Sequence, residues 1–342
     1  MRIWKTLAAA AGFAACVSAS ATGSPFSSLV VFGDSLSDPG NAYWLTRNPD
    51  DTSLFPPTPP YNRRFSNGSV AAEYLADILG ASAGAANSPA GGTNFAVGGA
   101  MTGSGNFNWL VNSPAGLQSL PAVQNTGIGQ QIAAFDPTGL NMSQTLFLLW
   151  GAPNDFFLGF AQQAGGATVD FTALATTAIG NLATDIGTLA GMGAQHILVP
   201  NMPDLGLTPF FLKQGPVAAG SASFLTDSFN AGLAGTLAAT FGGSGLDLIS
   251  FDTAGFLRDA VADPASLGFT IVTSSCLDAG FAAFPSCTGY LFFDDVHPTT
   301  AAHLLLAQEF AQAVPEPETY ALLLAGLGVI GWIARRRGVA FH

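Results

Sequence analysis

Five short apolar runs, at residues 28–32, 93–96, 145–150, 196–200 and 246–251, alternate with longer stretches of helical periodicity, and few architectures accommodate that order. Runs apolar on nearly every residue suit strands buried on both faces, as in a mostly parallel sheet covered by helices. The intervening stretches fit the covering role. Residues 224–241 place Leu225, Phe229, Leu233 and Leu237 four apart, and residues 171–190 place Leu182, Ile186 and Leu189 on one stripe. Pro298 and Thr299 open a last helix through Gln312, proline being tolerated in a first turn. The expectation is an α/β chain folded as a three-layer α/β/α sandwich around a five-stranded parallel sheet. Three stretches read as surface loops: Pro56-Pro57-Thr58-Pro59-Pro60, the Gly/Ala-rich run 80–92 and the Gly/Asn-rich run 103–127.

Both ends of the chain stand apart from this pattern. Residues 1–21 carry basic Arg2 and Lys5, an apolar run and the small-residue sequence Ala19-Ser20-Ala21, which together read as a secretory signal cleaved after Ala21. A lipoprotein cleavage site at Phe13-Ala14-Ala15-Cys16 is the rival, with phenylalanine ill suited to the leucine-like position. At the other end, Val314-Pro315-Glu316-Pro317-Glu318 breaks the preceding helix and is followed by the apolar run 320–334 and Arg335-Arg336-Arg337. At about 1.5 Å per residue that run is roughly 22 Å long, marginal for a hydrocarbon core of about 30 Å. The arginines would keep the tail cytoplasmic while the signal puts the body outside, so the two topological signals agree. The division expected is therefore 1–21 signal, 22–313 folded body and 314–342 tail, with membrane contact through the tail.

Between the end segments stand five basic residues, Arg47, Arg63, Arg64, Lys213 and Arg258, against twenty acidic ones, a net charge of −15. Nucleic acid is an unsuitable partner, because phosphate contacts need clustered Lys and Arg. Removing the signal removes Cys16 and leaves Cys276 and Cys287, which in an exported domain form one disulfide around a short loop or remain two buried thiols. Two cysteines without neighbouring histidines cannot complete a zinc site.

Four strand-end turns carry groups that could do chemistry. In Phe32-Gly33-Asp34-Ser35-Leu36-Ser37-Asp38 an apolar strand runs into a small polar turn, and ligands of open α/β sheets bind beyond the carboxyl ends of the strands. Ser35 alone reads as readily as a helix cap. A serine hydroxyl needs a base, and the body has three histidines. His196 opens an apolar strand, and His303 sits on the last helix as a packing or surface residue. His297, in Asp294-Asp295-Val296-His297-Pro298, lies in a polar turn before a helix, where an aspartate three residues ahead can fold back to Nδ1. Asp294 and Asp295 could equally cap that turn. Gly151-Ala152-Pro153-Asn154-Asp155 offers a side-chain amide for an oxyanion, and Asn94-Phe95-Ala96-Val97-Gly98-Gly99 offers glycine backbone for close approach.

Taken together and in this order, these blocks resemble the SGNH or GDSL esterase and lipase family, over roughly residues 27–312. Arg64-Phe65-Ser66-Asn67-Gly68 and the stretch 199–206 also resemble segments of its longer bacterial members. The resemblance implies a flavodoxin-like sandwich with Ser35 as nucleophile, His297 as base and Asp294 as its orienter. The oxyanion hole it implies is made by the N–H of Ser35, the N–H of Gly98 or Gly99, and the Asn154 amide. It implies no metal or organic cofactor, and a carboxylic or lipid ester as substrate. One departure is visible: the family usually has glycine two residues before the asparagine, where this chain has Ala152 followed by Pro153. The Pro-Glu-Pro, apolar run and arginine cluster resemble the PEP-CTERM sorting tag of Gram-negative bacteria. That implies processing by an exosortase and a place in the periplasm, on the outer surface or in the extracellular matrix.

Gly80-Ala81-Ser82-Ala83-Gly84 also matches the G-x-S-x-G nucleophile elbow, which requires a strand before it and a helix after. Residues 71–79 have helical periodicity with Gly80 as a stop, so Ser82 is assigned to a loop. Two other functions fit the same sequence: a carbohydrate O-deacetylase acting on exported polysaccharide, and a non-catalytic matrix protein on a hydrolase scaffold.

Overall fold

The structure is a computed structural model, and it describes residues 24, 26–108, 110–113, 116–282, 286–314 and 326. The signal-like residues 1–21 and the apolar run with its arginines lie outside the described residues, Gly326 excepted. Along the chain the elements are β1 (Ser28–Gly33), α1 (Asn41–Thr46), α2 (Ala71–Leu79), β2 (Leu110–Ser113), β3 (Gly116–Ser119), α3 (Pro121–Gln124) and α4 (Ile128–Ala133). There follow β4 (Thr145–Trp150), α5 (Pro153–Ala164), α6 (Phe171–Gly191), β5 (His196–Pro200), α7 (Pro209–Lys213) and α8 (Pro216–Phe241). The last are β6 (Asp247–Phe251), α9 (Thr253–Ala262), β7 (Ile271–Ser275), β8 (Tyr290–Phe292) and α10 (Thr300–Ala313).

Four strands form the central parallel sheet in the order β1-β4-β5-β6, with Ser28 opposite Thr145, Leu146 opposite His196 and His196 opposite Asp247. Side chains of successive residues leave a strand on opposite faces, and both faces are covered here. Val30, Phe32, Phe147, Leu149, Ile197 and Val199 pack with α4, α5, α6 and α8. Leu29, Val31, Leu146, Leu148, Leu198 and Ile249 pack with α2 and α10. Each such side chain, when fully buried, contributes about 1.5–3 kcal/mol. This double burial is why β1, β4 and β5 are almost continuously apolar in sequence, whereas β6 is only partly buried and carries Asp247 and Ser250.

The expected fifth strand, 93–96, is reduced to a single parallel bridge between Val31 and Asn94. It runs beside β1, donating from Phe95 N to Val31 O and accepting from Val31 N at Thr93 O. Asn94, however, also bridges Ala85, and its carbonyl accepts from Ala86 N and from the Asn41 amide. Its backbone is divided between partners, so no continuous ladder forms and the sheet has four strands.

Other expectations shift in detail. The helix expected over 224–241 begins eight residues earlier, at Pro216, and the run 103–127 contains the hairpin β2–β3 and the short helix α3. Gly80 ends α2 in the left-handed conformation with φ 66°, and Ser82 lies in the loop beyond it. A disulfide joins Cys276 to Cys287, and this buried pair packs with Phe293 just ahead of the segment that carries His297. No helix among the described residues is long and apolar enough to cross a membrane.

Candidate active site

Ser35 stands at the carboxyl end of β1, where the chain must pass very close to β4. A Cβ on Gly33 would lie 2.5 Å from the carbonyl of Trp150, so only glycine fits this passage. Gln131 fixes the passage from the other side, accepting from Gly33 N at 2.9 Å and donating to Gly33 O at 2.8 Å. Beyond it Asp34 folds the turn back on itself: its carboxylate accepts from Leu36 N and its carbonyl from Ser37 N. Ser35 is thereby held on the turn, 8% exposed, with no protein acceptor for its own N–H among the described residues.

His297 arrives from the far end of the chain, on the loop between β8 and α10. Its carbonyl accepts from Phe293 N, and the next carbonyl, of Pro298, accepts from the Ser66 hydroxyl. The Phe65 ring lies 5.3 Å from the imidazole, centroid to centroid. These contacts set His297 Nε2 at 2.8 Å from Ser35 Oγ and His297 Nδ1 at 2.7 Å from Asp294 Oδ2. Asp294 is buried, and its other oxygen accepts from Val296 N and His297 N. Burial alone would push this carboxyl up, but the neighbouring imidazole and the donors from His297, Tyr61 and Val296 outweigh it and hold the group below the usual carboxylate range. Asp295 also lines the cavity, but it pairs with Lys213 at 2.5 Å instead of with His297. The two aspartates the sequence left side by side thus have separate partners.

The remaining predicted donors divide. Gly98 N donates to Asp38 Oδ2 at 2.8 Å, whereas Gly99 N, at φ 78°, has no protein acceptor among the described residues. Asn154 sits in the first turn of α5, and its amide donates to Ala100 O at 3.0 Å and to Asp34 Oδ2 at 3.3 Å. Both amide protons are therefore engaged within the protein. Ala152, at the position where glycine was expected, adopts φ 111°, a backbone conformation costly for any residue with a Cβ. Burial pushes Asp34 up to about 7, against the pull of the Leu36 N–H and of His297.

The other two histidines belong elsewhere. His196 Nδ1 lies 2.8 Å from Asp247 Oδ2. His303 is fully buried in α10 with neither ring nitrogen hydrogen-bonded among the described residues, and burial lowers its pKa to about 3. Among the described residues no three His, Cys, Asp or Glu side chains are grouped to hold a metal.

Ser35 and His297 open onto a cavity of about 740 Å³ whose walls are mostly apolar, with Phe55, Phe65, Phe107, Phe157, Phe160 and Phe210 among them. Tyr61, which the sequence gave no reason to single out, also lines it and donates to Asp294 Oδ2 at 2.5 Å. Its signal was inaccessible to local motifs because the partners are 233 residues apart.

A cavity-lining serine bonded to an imidazole, backed by a buried carboxylate beyond the carboxyl ends of a parallel sheet, is an arrangement suited to acyl transfer. The chain belongs to the GDSL-like Lipase/Acylhydrolase family, whose profile matches residues 29–310. Residues 313–337 match the PEP-CTERM protein-sorting motif. It is 30% identical to Esterase EstA of Pseudomonas aeruginosa, over 91% of this chain and 51% of that protein. It is 27% identical to a phosphatidylcholine-sterol acyltransferase of Aeromonas hydrophila, over 84% of this chain and 89% of that one. A solved structure from the lipolytic G-D-S-L family of Veillonella parvula covers 84% of this chain and 97% of its own, at 13% identity and TM-score 0.43. The chain spans about half the length of the curated relatives it matches at 30% identity, 51% and 52% of theirs.

Proposed function

We propose that this chain is an exported serine esterase hydrolysing carboxylic esters of acyl or lipid type. One observation carries the reading: Ser35 Oγ, His297 and Asp294 form a continuous hydrogen-bonded chain with steps of 2.8 and 2.7 Å. His297 Nε2 takes the Ser35 proton as Oγ attacks the ester carbonyl, and returns it to the departing alkoxide. Water then enters, His297 deprotonates it, and the acyl-enzyme is hydrolysed. Asp294 keeps the proton on Nδ1 so that Nε2 faces Ser35, and stabilises the imidazolium.

The oxyanion is received by the N–H groups of Ser35 and Gly99, which have no protein acceptor among the described residues. Gly98 is set aside because Asp38 already holds its N–H. Asn154 contributes by releasing the longer of its two bonds, the 3.3 Å one to Asp34. The phenylalanine-rich cavity favours an apolar acyl group.

In the same account residues 1–21 are a signal peptide, 22–313 the hydrolase domain and 314–342 the sorting tail. The tail touches the membrane before an exosortase processes it, which leaves the protein in the periplasm, at the cell surface or in the matrix. Turnover of p-nitrophenyl acetate, longer p-nitrophenyl esters and acetylated glycans by the wild type and Ser35→Ala tests the function. Hydrolysis of the longer esters, abolished in Ser35→Ala, is expected. Activity confined to acetylated glycans would place it among deacetylases, and unchanged activity in Ser35→Ala would remove the mechanism.

A further inference from the structure

The proline-rich segment ahead of α2 does two things at once. Phe55, Pro57, Tyr61 and Phe65 line the cavity beside Ser35, and Tyr61 alone among them reaches through to the carboxylate behind the histidine. Its hydroxyl donates at 2.5 Å to Asp294 Oδ2, the same oxygen that faces His297 Nδ1 at 2.7 Å. The ring is held by Phe293 at 5.3 Å, edge to face, and by Phe65 at 6.1 Å. Phe293 in turn packs with the Cys276–Cys287 pair, so the hydroxyl is aimed by a rigid surround.

Given the esterase reading above, on which this rests, we infer that Tyr61 is a positioning residue for the reaction, a fourth member of the hydrogen-bonded chain that sets how strongly Asp294 supports His297.

A hydrogen bond to a carboxylate from a neutral donor withdraws part of its charge, and one oxygen shared by two donors divides that charge between them. With the phenol in place, Asp294 stays ionised and in one rotamer, but its pull on the His297 proton is moderated. The other titratable and charged groups around the pair are Asp34 on the Ser35 turn, Asp295 and Asp278 with the Lys213 they share, and His303 inside α10. None of them is bonded to Tyr61, so removing its hydroxyl changes one contact only.

The test is the pH dependence of kcat/KM for p-nitrophenyl butyrate with the full chain, in the wild type, Tyr61→Phe and Ser35→Ala. For Tyr61→Phe the acidic limb is expected to move up by about 0.5 pH unit, because a carboxylate freed of its second donor makes His297 more basic. kcat at the optimum is expected to fall roughly 3- to 10-fold while KM changes less than about 2-fold. Biosynthetic replacement of tyrosine by 3-fluorotyrosine, a stronger donor that keeps the ring, is expected to move the limb down. This second measurement stands if Tyr61→Phe does not fold. An acidic limb unmoved in both proteins, or a loss confined to KM, overturns the role of Tyr61. Activity persisting in Ser35→Ala overturns instead the reading on which it rests.

Discussion

Asp38 Oδ2 accepts the N–H of Gly98 at 2.8 Å from sixty residues away, and this bond separates two glycines that are indistinguishable in sequence. Asp38 is already committed to the first turn of α1, accepting from Gly40, Asn41 and Ala42 N–H groups. It therefore ties α1, the Ser35 turn and the Gly98-Gly99 turn into one rigid unit, in which Gly99 keeps its N–H free of protein acceptors among the described residues.

A methyl group at Gly99 would lie 2.5 Å from Asn106 Oδ1 and 2.8 Å from Asn108 Nδ2, at a φ of 78° that alanine resists. If Gly99 N–H receives the oxyanion, Gly99→Ala lowers kcat by about 10²-fold or more with little change in KM. Steady-state kinetics on a p-nitrophenyl ester checks this, and an unchanged kcat would exclude Gly99 from the hole.

Asp294 and Asp295 give a matched pair of tests. Asp294→Asn leaves His297 without the acceptor that fixes its tautomer, and kcat is expected to drop by about 10³-fold or more. Asp295→Asn removes only an exposed pair with Lys213, worth about 0.2–1 kcal/mol, and should leave kcat within about 3-fold. Equal losses in the two variants would contradict the assignment.

Ala152 holds φ 111° immediately before α5. Ala152→Gly removes the clash of its Cβ with the backbone at the cost of greater freedom in the unfolded chain, and a net gain of about 1 kcal/mol is expected in urea unfolding. A loss of that size would mean that packing of the buried methyl outweighs the strain.

Buried carboxyls make stability depend on pH in an unusual direction. Burial raises Asp34 and Asp185 to about 7 and Asp38 and Asp155 to about 6, from 3.8. A carboxyl whose pKa is higher folded than unfolded contributes most below the unfolded value, and that contribution is lost as pH climbs through the folded one. His303, lowered from 6.5 to about 3, acts oppositely across most of the same window but is one group against four. Tm should therefore fall between pH 5 and pH 7.5, as scanning calorimetry would show. Asp185 has one carboxylate oxygen with no partner among the described residues, so Asp185→Asn should raise stability at pH 7.5 by on the order of 2 kcal/mol, and by progressively less as pH falls toward the unfolded value of 3.8. A flat or rising Tm across the window would contradict this.

Much of the fold was legible because β1, β4 and β5 are buried on both faces and so are apolar almost throughout, while β6, only partly buried, still shows the apolar Leu248, Ile249 and Phe251. That Ser35, His297 and Asp294 meet was legible because each follows a strand and precedes a helix or turn. The strand at 93–96 was overread because composition does not reveal that Asn94 divides its backbone between Val31 and Ala85. The hairpin β2–β3 was missed because a Gly/Asn-rich stretch has no alternating apolar pattern to announce it. Tyr61 was missed for another reason: its bond to Asp294 spans 233 residues, which no local spacing encodes.

The most direct test of catalysis by Ser35 is covalent labelling with a fluorophosphonate, read by intact mass and peptide mapping against residual esterase activity. One adduct per chain on Ser35 is predicted, with activity lost in proportion to labelling and no adduct in Ser35→Ala. Labelling of a different serine, or full labelling of Ser35 with activity retained, would contradict it.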